Sequence, residues 1–484
     1  MRPLIAVVGG GITGLAAAHV LRRHSPRVEV VLLEANSRLG GVLETTRRDG
    51  FLMEAAADNF LIDPPHAVEL CRSMGLEDSL IETNPAWRQA SVVHRGRLQP
   101  IPTGFTLMAP SRIRPMLRSP VLSVRGKLRM ALEPLVPRKR SAADESLAAF
   151  VRRRFGCEIH DRLVQPLIGG IYAGDAERLS VEATMPRFVE MEREHGSVIR
   201  AMLRQRPQVG QNGSGARYGQ FVALRDGMSS LVDALARRLP PKSVQLASPV
   251  DVILSRPDQR WSLFVGGEYP HHLPADGVIL ATPAYRSAQL LSDVDATVAT
   301  LLGRIEYAGS VVISIGYRRD QINHPLNGFG FVVPLIEQRT VLSCSFSSIK
   351  YEGRAPDDAV LLRVFMGGAC QSGLLRLSGE QLIELAEREI GELLQVQGEP
   401  TLRHLTRHHR ALPQYHVGHR DRLATINRRL ARFPTLALAG SAYGGVGIPA
   451  CIESGQAAAN QILARLDSRC ELPKAIGAVA EASV

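Results

Sequence analysis

LIAVVGGGITG, residues Leu4 to Gly14, is an apolar run that ends in a glycine turn. Leu4 to Val8 has no polar interruption, as a parallel strand buried on both faces requires. Gly9-Gly10-Gly11-Ile12-Thr13-Gly14 then gives the spacing G-x-G-x-x-G. Gly9 permits the tight turn, Gly11 a close backbone approach to a pyrophosphate, and Gly14 close packing of helix on strand. Beyond it Ile12, Leu15, Ala16 and Val20 fall on one helical face. A second strand, Val28 to Leu33, delivers Glu34 twenty residues after Gly14, where a carboxylate can accept from ribose hydroxyls. A lone glycine motif would be weak. Strand, turn, helix, strand and terminal acid in register predict a dinucleotide on the helix N-terminus.

The whole sequence bounds what surrounds this unit. Its 484 residues, 45% apolar and 22% charged, predict two or three folded units with ample core. Cys71, Cys157, Cys344, Cys370, Cys451 and Cys470 show no metal-ligand spacing, so a reduced cytoplasmic interior is expected. No signal peptide is read at the N-terminus, and no apolar run nears the roughly 20 residues of a spanning helix. The net charge of +11 is concentrated: Arg88 to Arg140 holds twelve basic residues against the single acid Glu133.

After Glu34 come Arg38-Leu39-Gly40-Gly41. This E-x-x-x-R-x-G-G arrangement resembles the large flavoprotein group of amine oxidases, phytoene desaturases and porphyrinogen oxidases, so FAD is expected rather than NAD. Ser248-Pro249-Val250 and the run Asp276 to Pro283 agree, since that group uses such segments to return to the adenosine side. Near the other end Leu436 to Leu438 enters Gly440-Ser441-Ala442-Tyr443-Gly444-Gly445-Val446-Gly447-Ile448-Pro449, a second glycine turn before a helix, suited to the pyrophosphate and flavin ring. The resemblance implies cofactor contacts at Gly9, Gly10, Gly11, Ile12, Thr13, Gly14, Glu34, Ala35, Arg38, Gly40, Gly41 and Val42. It adds Ala56, Ala57, Asp58, Asn59, Val250, Gly440, Ser441, Val446, Gly447 and Ile448.

The expected fold is α/β: a Rossmann-type FAD-binding domain with an inserted helical domain and an α+β substrate domain. The FAD-binding part is discontinuous, over residues 1–75, 221–284 and 426–468. Residues 87–205 read as a mainly helical basic insertion, with helical spacing at Ser146 to Phe155 and Val181 to Leu203, closed by a flexible loop from Arg206 to Gln220. Residues 76–86 and 285–425 read as the substrate domain, with 469–484 as a tail. Strand-like runs at Ser310 to Ile315, Gly330 to Val333, Val341 to Phe346 and Val360 to Met366, then a helix at Gly379 to Leu394, predict an antiparallel sheet over the flavin.

Four further motifs narrow the resemblance to oxygen-dependent protoporphyrinogen or coproporphyrinogen oxidases, over nearly the full chain. They are Gly169-Gly170-Ile171-Tyr172-Ala173-Gly174-Asp175, Gly328-Phe329-Gly330-Phe331-Val332-Val333-Pro334, Arg354-Ala355-Pro356 with Phe365-Met366-Gly367-Gly368, and Leu412-Pro413-Gln414-Tyr415-His416-Val417-Gly418-His419. The resemblance implies oxidation of a porphyrinogen to a porphyrin in haem biosynthesis, by three hydride transfers to flavin with dioxygen as acceptor and hydrogen peroxide as product. Positioning can supply most of such catalysis, because the cofactor does the bond chemistry. By the same resemblance Phe329, Val332 and Phe365 sandwich the macrocycle, Gly170 offers backbone contact, and Asn59 lies near the reacting carbon. Where relatives carry an arginine for a propionate this chain has Ala90, with Arg88 nearby, and Ser345 stands where a large apolar wall can occur. No catalytic acid or base is assigned, and which porphyrinogen is oxidised stays open.

In the basic stretch Phe105, Leu107, Met108, Ile113, Met116, Leu117, Val121 and Leu122 alternate with arginines, which suits peripheral docking on anionic lipid at the inner face of the cell membrane. A solvated basic face, or one attracting an anionic substrate, stays open beside it. Nucleic acid is not expected without interleaved aromatics or a recognition module. His404, His408, His409, His416 and His419 lack carboxylate or cysteine companions, so no metal is expected, although His404 and His408 are spaced for one helix face. An amine oxidase or carotenoid desaturase is the alternative enzyme, and a flavin-free binding module the alternative outside catalysis. A homodimer is left open.

Overall fold

β1 (Leu4–Val8) lies in the middle of a five-stranded parallel sheet, between β2 (Glu29–Leu33) and the strand Gly277–Leu280. Val244–Gln245 and Leu436–Leu438 form its edges. The computed structural model describes residues 2–24, 27–204 and 220–470, with side chains as far as 467. The predicted loop at 206–220, apart from residue 220, lies outside the described residues, as does the predicted tail beyond 470.

The central strand is apolar throughout because both its faces are covered, one by helices and the other by further strands and helices: Ile5, Ala6 and Val7 are wholly buried. α1 (Ile12–Arg23) follows it, and the last helix, Ile448–Cys470, crosses α1. The crossing is closest at Gly455, where a Cβ would sit 2.2 Å from the carbonyl oxygen of Thr13. The two helices therefore start side by side on the same edge of the sheet. A small antiparallel sheet, Val250–Ser255 with Trp261–Val265 and His271–Ala275, packs on the opposite face, in the core that holds Ala6, Val8, Val31 and Leu33.

The second large sheet has seven strands, in the order Leu402–Pro413, Tyr307–Arg318, Ala359–Gly367, Val341–Phe346, Gly330–Val332, Ser91–His94 and Arg97–Pro100. Two expectations change here. Residues 91–100 are not part of a helical insertion but finish this sheet, and Ser91–His94 pairs parallel to Gly330–Val332, so the sheet is mixed rather than antiparallel. Val92 and Val93 had given the signal, since β-branched residues in a short apolar run favour a strand. The helix Gly379–Leu394, capped by Ser378, packs its Leu382, Ala386 and Ile390 on the face formed by Val311, Ile313, Val364 and Met366.

The other face of this sheet looks inward, and its register sets what it presents. One cross-strand row runs Thr406, Val312, Phe365, Ser343, Val332, and the next runs His404, Ser314, Arg363, Ser345, Gly330. Small and polar side chains dominate, so the sheet leaves space instead of filling it.

The basic stretch from Arg112 leads into a helical lobe. Val181 to Leu203 is three helices, Val181–Thr184, Pro186–His195 and Val198–Arg204, divided at Pro186 and at Gly196 with φ 69°. At its centre Arg154 and Glu133 are fully buried as an ion pair, with Glu192 and the Ser197 hydroxyl completing the network. Phe105, Met108, Met116, Val121 and Leu122, expected to face lipid, are core residues of this lobe. Alternation with arginines could not distinguish an inward stripe from an outward one. Within the basic stretch the exposed large apolar groups among the described residues are Leu117, Val124, Leu128, Leu132 and Leu135. No helix among the described residues is long and apolar enough to cross a membrane.

Candidate active-site cavity

Three glycine turns meet at one cavity of about 900 Å³. The first, Gly9 to Gly14, ends β1. Gly9 has φ 109° and a Cβ there would lie 2.6 Å from the carbonyl oxygen of Ala281, so glycine is obligatory. Gly11, Ile12 and Thr13 line the cavity, and the space a Cβ would take at Gly11 is open. The second turn, Gly40 and Gly41, is bridged to the first: Gly40 N donates to Gly10 O at 2.8 Å, and Gly41 approaches Gly11 closely. The third, Gly440 to Gly447, opens the last helix, and Cβ positions at Gly440 and Gly444 also meet nothing. Two neighbouring helix N-termini with bare backbone around them suit an anionic group. The predicted residues Val42, Ala56, Ala57, Asp58, Asn59, Ser441, Val446, Gly447 and Ile448 line the same cavity.

Other predicted cofactor residues shape it from behind. Glu34 is buried at the end of β2, where its carboxylate accepts from Gly10 N at 2.6 Å and from Asn36 N at 2.8 Å. Arg38 clasps the second turn, donating to the carbonyls of Leu39, Gly41 and Leu43 and pairing with Glu44. Val250 is buried outside the lining and its carbonyl accepts from Arg286, while Ala35 is exposed. Gly9, Gly10, Gly14, Gly41 and these four therefore border the cavity rather than line it.

The loop carrying Ala56 to Asn59 is held by the seven-stranded sheet. His408 Nε2 donates to Ala55 O at 2.9 Å, and Arg363 Nη2 donates to Glu54 O at 3.0 Å and to Ala56 O. Arg363 Nη1 also lies 3.2 Å from Asp58 Oδ2, which is 3.6 Å from Lys350 Nζ. Burial alone would raise the Asp58 carboxyl, but Lys350, Arg363 and Arg354 outweigh it and hold it below the usual carboxylate range. Lys350 is lowered by its own burial against the pull of Asp58. Glu54, behind this cluster, is pushed up to about 7 by burial, although Met228 N, Thr45 Oγ1 and the guanidiniums of Arg363 and Arg354 oppose the shift. Sequence spacing gave no hint of this cluster, because its members come from residues 54–58 and 350–363.

Phe365 and Val312 form an apolar strip on the cavity wall, which also includes Gly169 to Ile171 at the end of the helix Gln165–Tyr172. Gly170 thus offers bare backbone to the cavity, as predicted, with a Cβ position 4.0 Å from Val332 Cγ1. Val332 is in the strip's cross-strand row but buried behind it. Phe329 is buried away from the lining, its N–H donating to Gln89 O. Arg88 is also elsewhere: it pairs with Glu82 and donates to Thr83. Asn59, Gly170 and Phe365 line the cavity and Val332 lies beside Gly170 just outside the lining, whereas Phe329 and Arg88 are elsewhere.

The motif from Leu412 to His419 fastens these parts to one another. Gln414 Nε2 donates to Tyr172 O at 3.0 Å, Tyr415 OH donates to Ser441 O, and His419 Nε2 donates to Ala442 O at 3.1 Å. Tyr415 and His419 stack, with ring centroids 4.5 Å apart. Burial, helped by Arg422, lowers His419 to about 4, so it is a neutral donor near pH 7. The histidines at 404, 408 and 409 are on the strand Leu402–Pro413 and not on a helix.

Comparison with known proteins adds the following. The family described as flavin containing amine oxidoreductase matches residues 12–463. Coproporphyrinogen III oxidase of Bacillus subtilis is 33% identical over 96% of this chain and 98% of its own. Coproporphyrinogen III oxidase of Propionibacterium freudenreichii subsp. freudenreichii is 35% identical over 95% of this chain and 90% of its own. A solved structure from an Exiguobacterium species, provisionally named a protoporphyrinogen oxidase, superposes with a TM-score of 0.85 at 31% identity, covering 96% of this chain and 99% of that one.

Proposed function

The chain belongs to the flavin containing amine oxidoreductase family, and from that premise we propose that it binds FAD and oxidises coproporphyrinogen III to coproporphyrin III in haem biosynthesis. Dioxygen is the electron acceptor in this reading and hydrogen peroxide the product. One observation carries it: a single cavity runs from three glycine turns, two of them with open space at Gly11, Gly440 and Gly444, to an apolar strip beneath a basic strand. A nicotinamide enzyme would need only the first turn and Glu34. Here Arg38 is spent on holding the second turn against the first, which suits a larger cofactor spanning both.

When bound, FAD supplies the hydride-accepting centre. Gly11, Gly41 and Gly440, with the N-termini of α1 and the last helix, would hold its phosphates, and Ala56 to Asn59 would border its ring system. Phe365 and Val312 give a macrocycle a flat apolar support, and Gly170 lets it approach without a side chain between. Asp58, Lys350, Arg354 and Arg363 place a buried, net cationic cluster at the cavity wall. Nothing nucleophilic is required of the protein, whose part is orientation and exclusion of water.

Purified protein given each porphyrinogen aerobically, with porphyrin fluorescence and peroxide followed together, tests the reading. Coproporphyrin formation with matching peroxide is expected. Silence with both substrates overturns the function, and turnover of protoporphyrinogen IX alone overturns the substrate.

The helical lobe supports peripheral contact with anionic membrane. Val124, Leu128 and Leu132 recur every four residues on and just after the helix Val124–Ala131, with Leu135 and Leu117 close in sequence, and are 82%, 62%, 44%, 73% and 48% exposed. Exposed Arg114, Arg118, Arg125, Arg138 and Arg140 flank them, the arrangement of a helix lying in a headgroup layer. Cosedimentation with phosphatidylglycerol vesicles is expected to fall at least tenfold in a Leu128→Glu, Leu132→Glu double variant while turnover in solution is kept. Equal sedimentation of both proteins rules the contact out.

A further inference from the structure

Four consecutive residues of the strand Leu402–Pro413, Arg407, His408, His409 and Arg410, line the cavity. Alternation in a regular strand would send every second one to the opposite face. Arg407 and His408 keep regular pairing with Val311 and Ser310, and the alternation breaks just beyond them in a bulge: Ala308 pairs with Leu412, so Gly309 alone faces residues 409 to 411. Only glycine fits there, since a Cβ at Gly309 would meet His409 O at 2.5 Å and His408 O at 2.8 Å. Bulges beside sites re-aim side chains in this way.

Most of the cavity's basic side chains are already committed. Arg407 gives Nη1 to Leu375 O and Nη2 to Leu377 O at 2.8 and 2.7 Å, His408 holds Ala55, and Arg363 is tied to Glu54, Ala56 and Asp58. Arg410 differs. Its guanidinium carbon stands 4.0 Å over the Tyr285 ring centroid, and no described residue gives it a carboxylate or a hydrogen-bond acceptor. It is exposed, so it lies at the open side of the cavity. Stacking fixes the plane of the guanidinium while leaving its N–H edges unpaired, the state that favours bidentate capture of an oxyanion.

We propose that Arg410, stacked on Tyr285, is the carboxylate-binding residue through which this site selects an acidic macrocycle. The proposal rests on the porphyrinogen reading and names the residue that pairs with a propionate, at a point distant in sequence from Arg88 and Ala90. An anionic partner could also be a cofactor phosphate, which shares the chemistry. The glycine turns already offer backbone N–H groups and two helix ends to phosphate, so the substrate carboxylate is the partner assigned.

The test titrates coproporphyrin III and its tetramethyl ester, in one mild detergent, into flavin-loaded wild-type, Arg410→Ala and Arg410→Lys proteins. Loss of a charge-assisted pair is expected to weaken the free acid ~10-fold or more in the alanine variant. The ester should bind all three alike, and lysine, which keeps charge but not the planar fork, should fall between. Equal affinity of the free acid for wild type and Arg410→Ala overturns the proposal, as does equal weakening of acid and ester. It is also overturned if Arg410→Ala loses flavin and recovers full porphyrin affinity on reconstitution, because the anion held is then a phosphate. Absence of turnover in wild type, measured separately, counts against the enzymatic reading and leaves the affinity comparison to judge Arg410.

Discussion

Replacing Glu54 by glutamine should make the protein more stable at neutral pH, although it removes a hydrogen-bonded carboxylate. Glu54 is 3% exposed, and burial raises it from an ordinary 4.5 to about 7. A group raised on folding contributes fully below its unfolded value and loses that contribution as pH climbs through the folded one. The window is therefore pH 4.5 to about 7, with stability falling as pH rises. At about 1.4 kcal/mol for each pH unit, the wild type gives up about 3 kcal/mol across it. Glutamine cannot ionise, keeps a carbonyl oxygen for Met228 N and is nearly isosteric. Urea unfolding of the flavin-loaded proteins, followed by circular dichroism from pH 4.5 to 8, reads the difference directly. Groups of opposite sign such as Asp58, whose contribution is lost as pH falls, largely cancel between variant and wild type. The variant's advantage should grow from near zero to about 3 kcal/mol. A difference that stays flat over the window refutes the argument.

Other consequences are checked more simply. Gly455→Ala places a methyl group 2.2 Å from the Thr13 carbonyl, and since both atoms belong to helices the axes must separate. A cost of about 1–3 kcal/mol is expected, with weaker flavin retention on ultrafiltration than in wild type. Glu133→Ala leaves the buried Arg154 with only Glu192, at 3.4 Å, as a carboxylate and strips Ser197 and Val198 N of their acceptor, which should cost about 3–5 kcal/mol in thermal or urea unfolding, whereas the exposed Arg318 and Asp320 pair should be worth too little to detect.

The cofactor half of the molecule was legible because its determinants are local. Strand, glycine turn, helix and Glu34 lie within thirty-odd residues of sequence, and each constraint, such as the positive φ at Gly9, acts on its own neighbours. The helix at Gly379–Leu394 and the strand at Val341–Phe346 matched their predicted bounds for the same reason. What escaped was non-local. Whether Phe329 or Phe365 faces the cavity depends on strand register, which pairs Phe365 with Val312 and Ser343 and turns Phe329 away. The buried cluster of Asp58 and Lys350 spans almost three hundred residues, and Arg88, chosen by nearness to Ala90, finds Glu82 first. The strand Leu402–Pro413 was missed because Arg403, Arg407, Arg410 and four interspersed polar residues mask its alternation, and its bulge breaks what remains.

The crossing at Gly455 also orders events in time. Thr13 leaves the ribosome hundreds of residues before Gly455, so throughout most of synthesis α1 lacks the neighbour that fixes its start, and the third glycine turn does not yet exist. A nascent chain can assemble the early strands and the helical lobe while still tethered, but it cannot grip its prosthetic group with all three turns. On the FAD-binding reading proposed above, cofactor capture is expected as a closing step of biogenesis, on finished polypeptide rather than on growing chains.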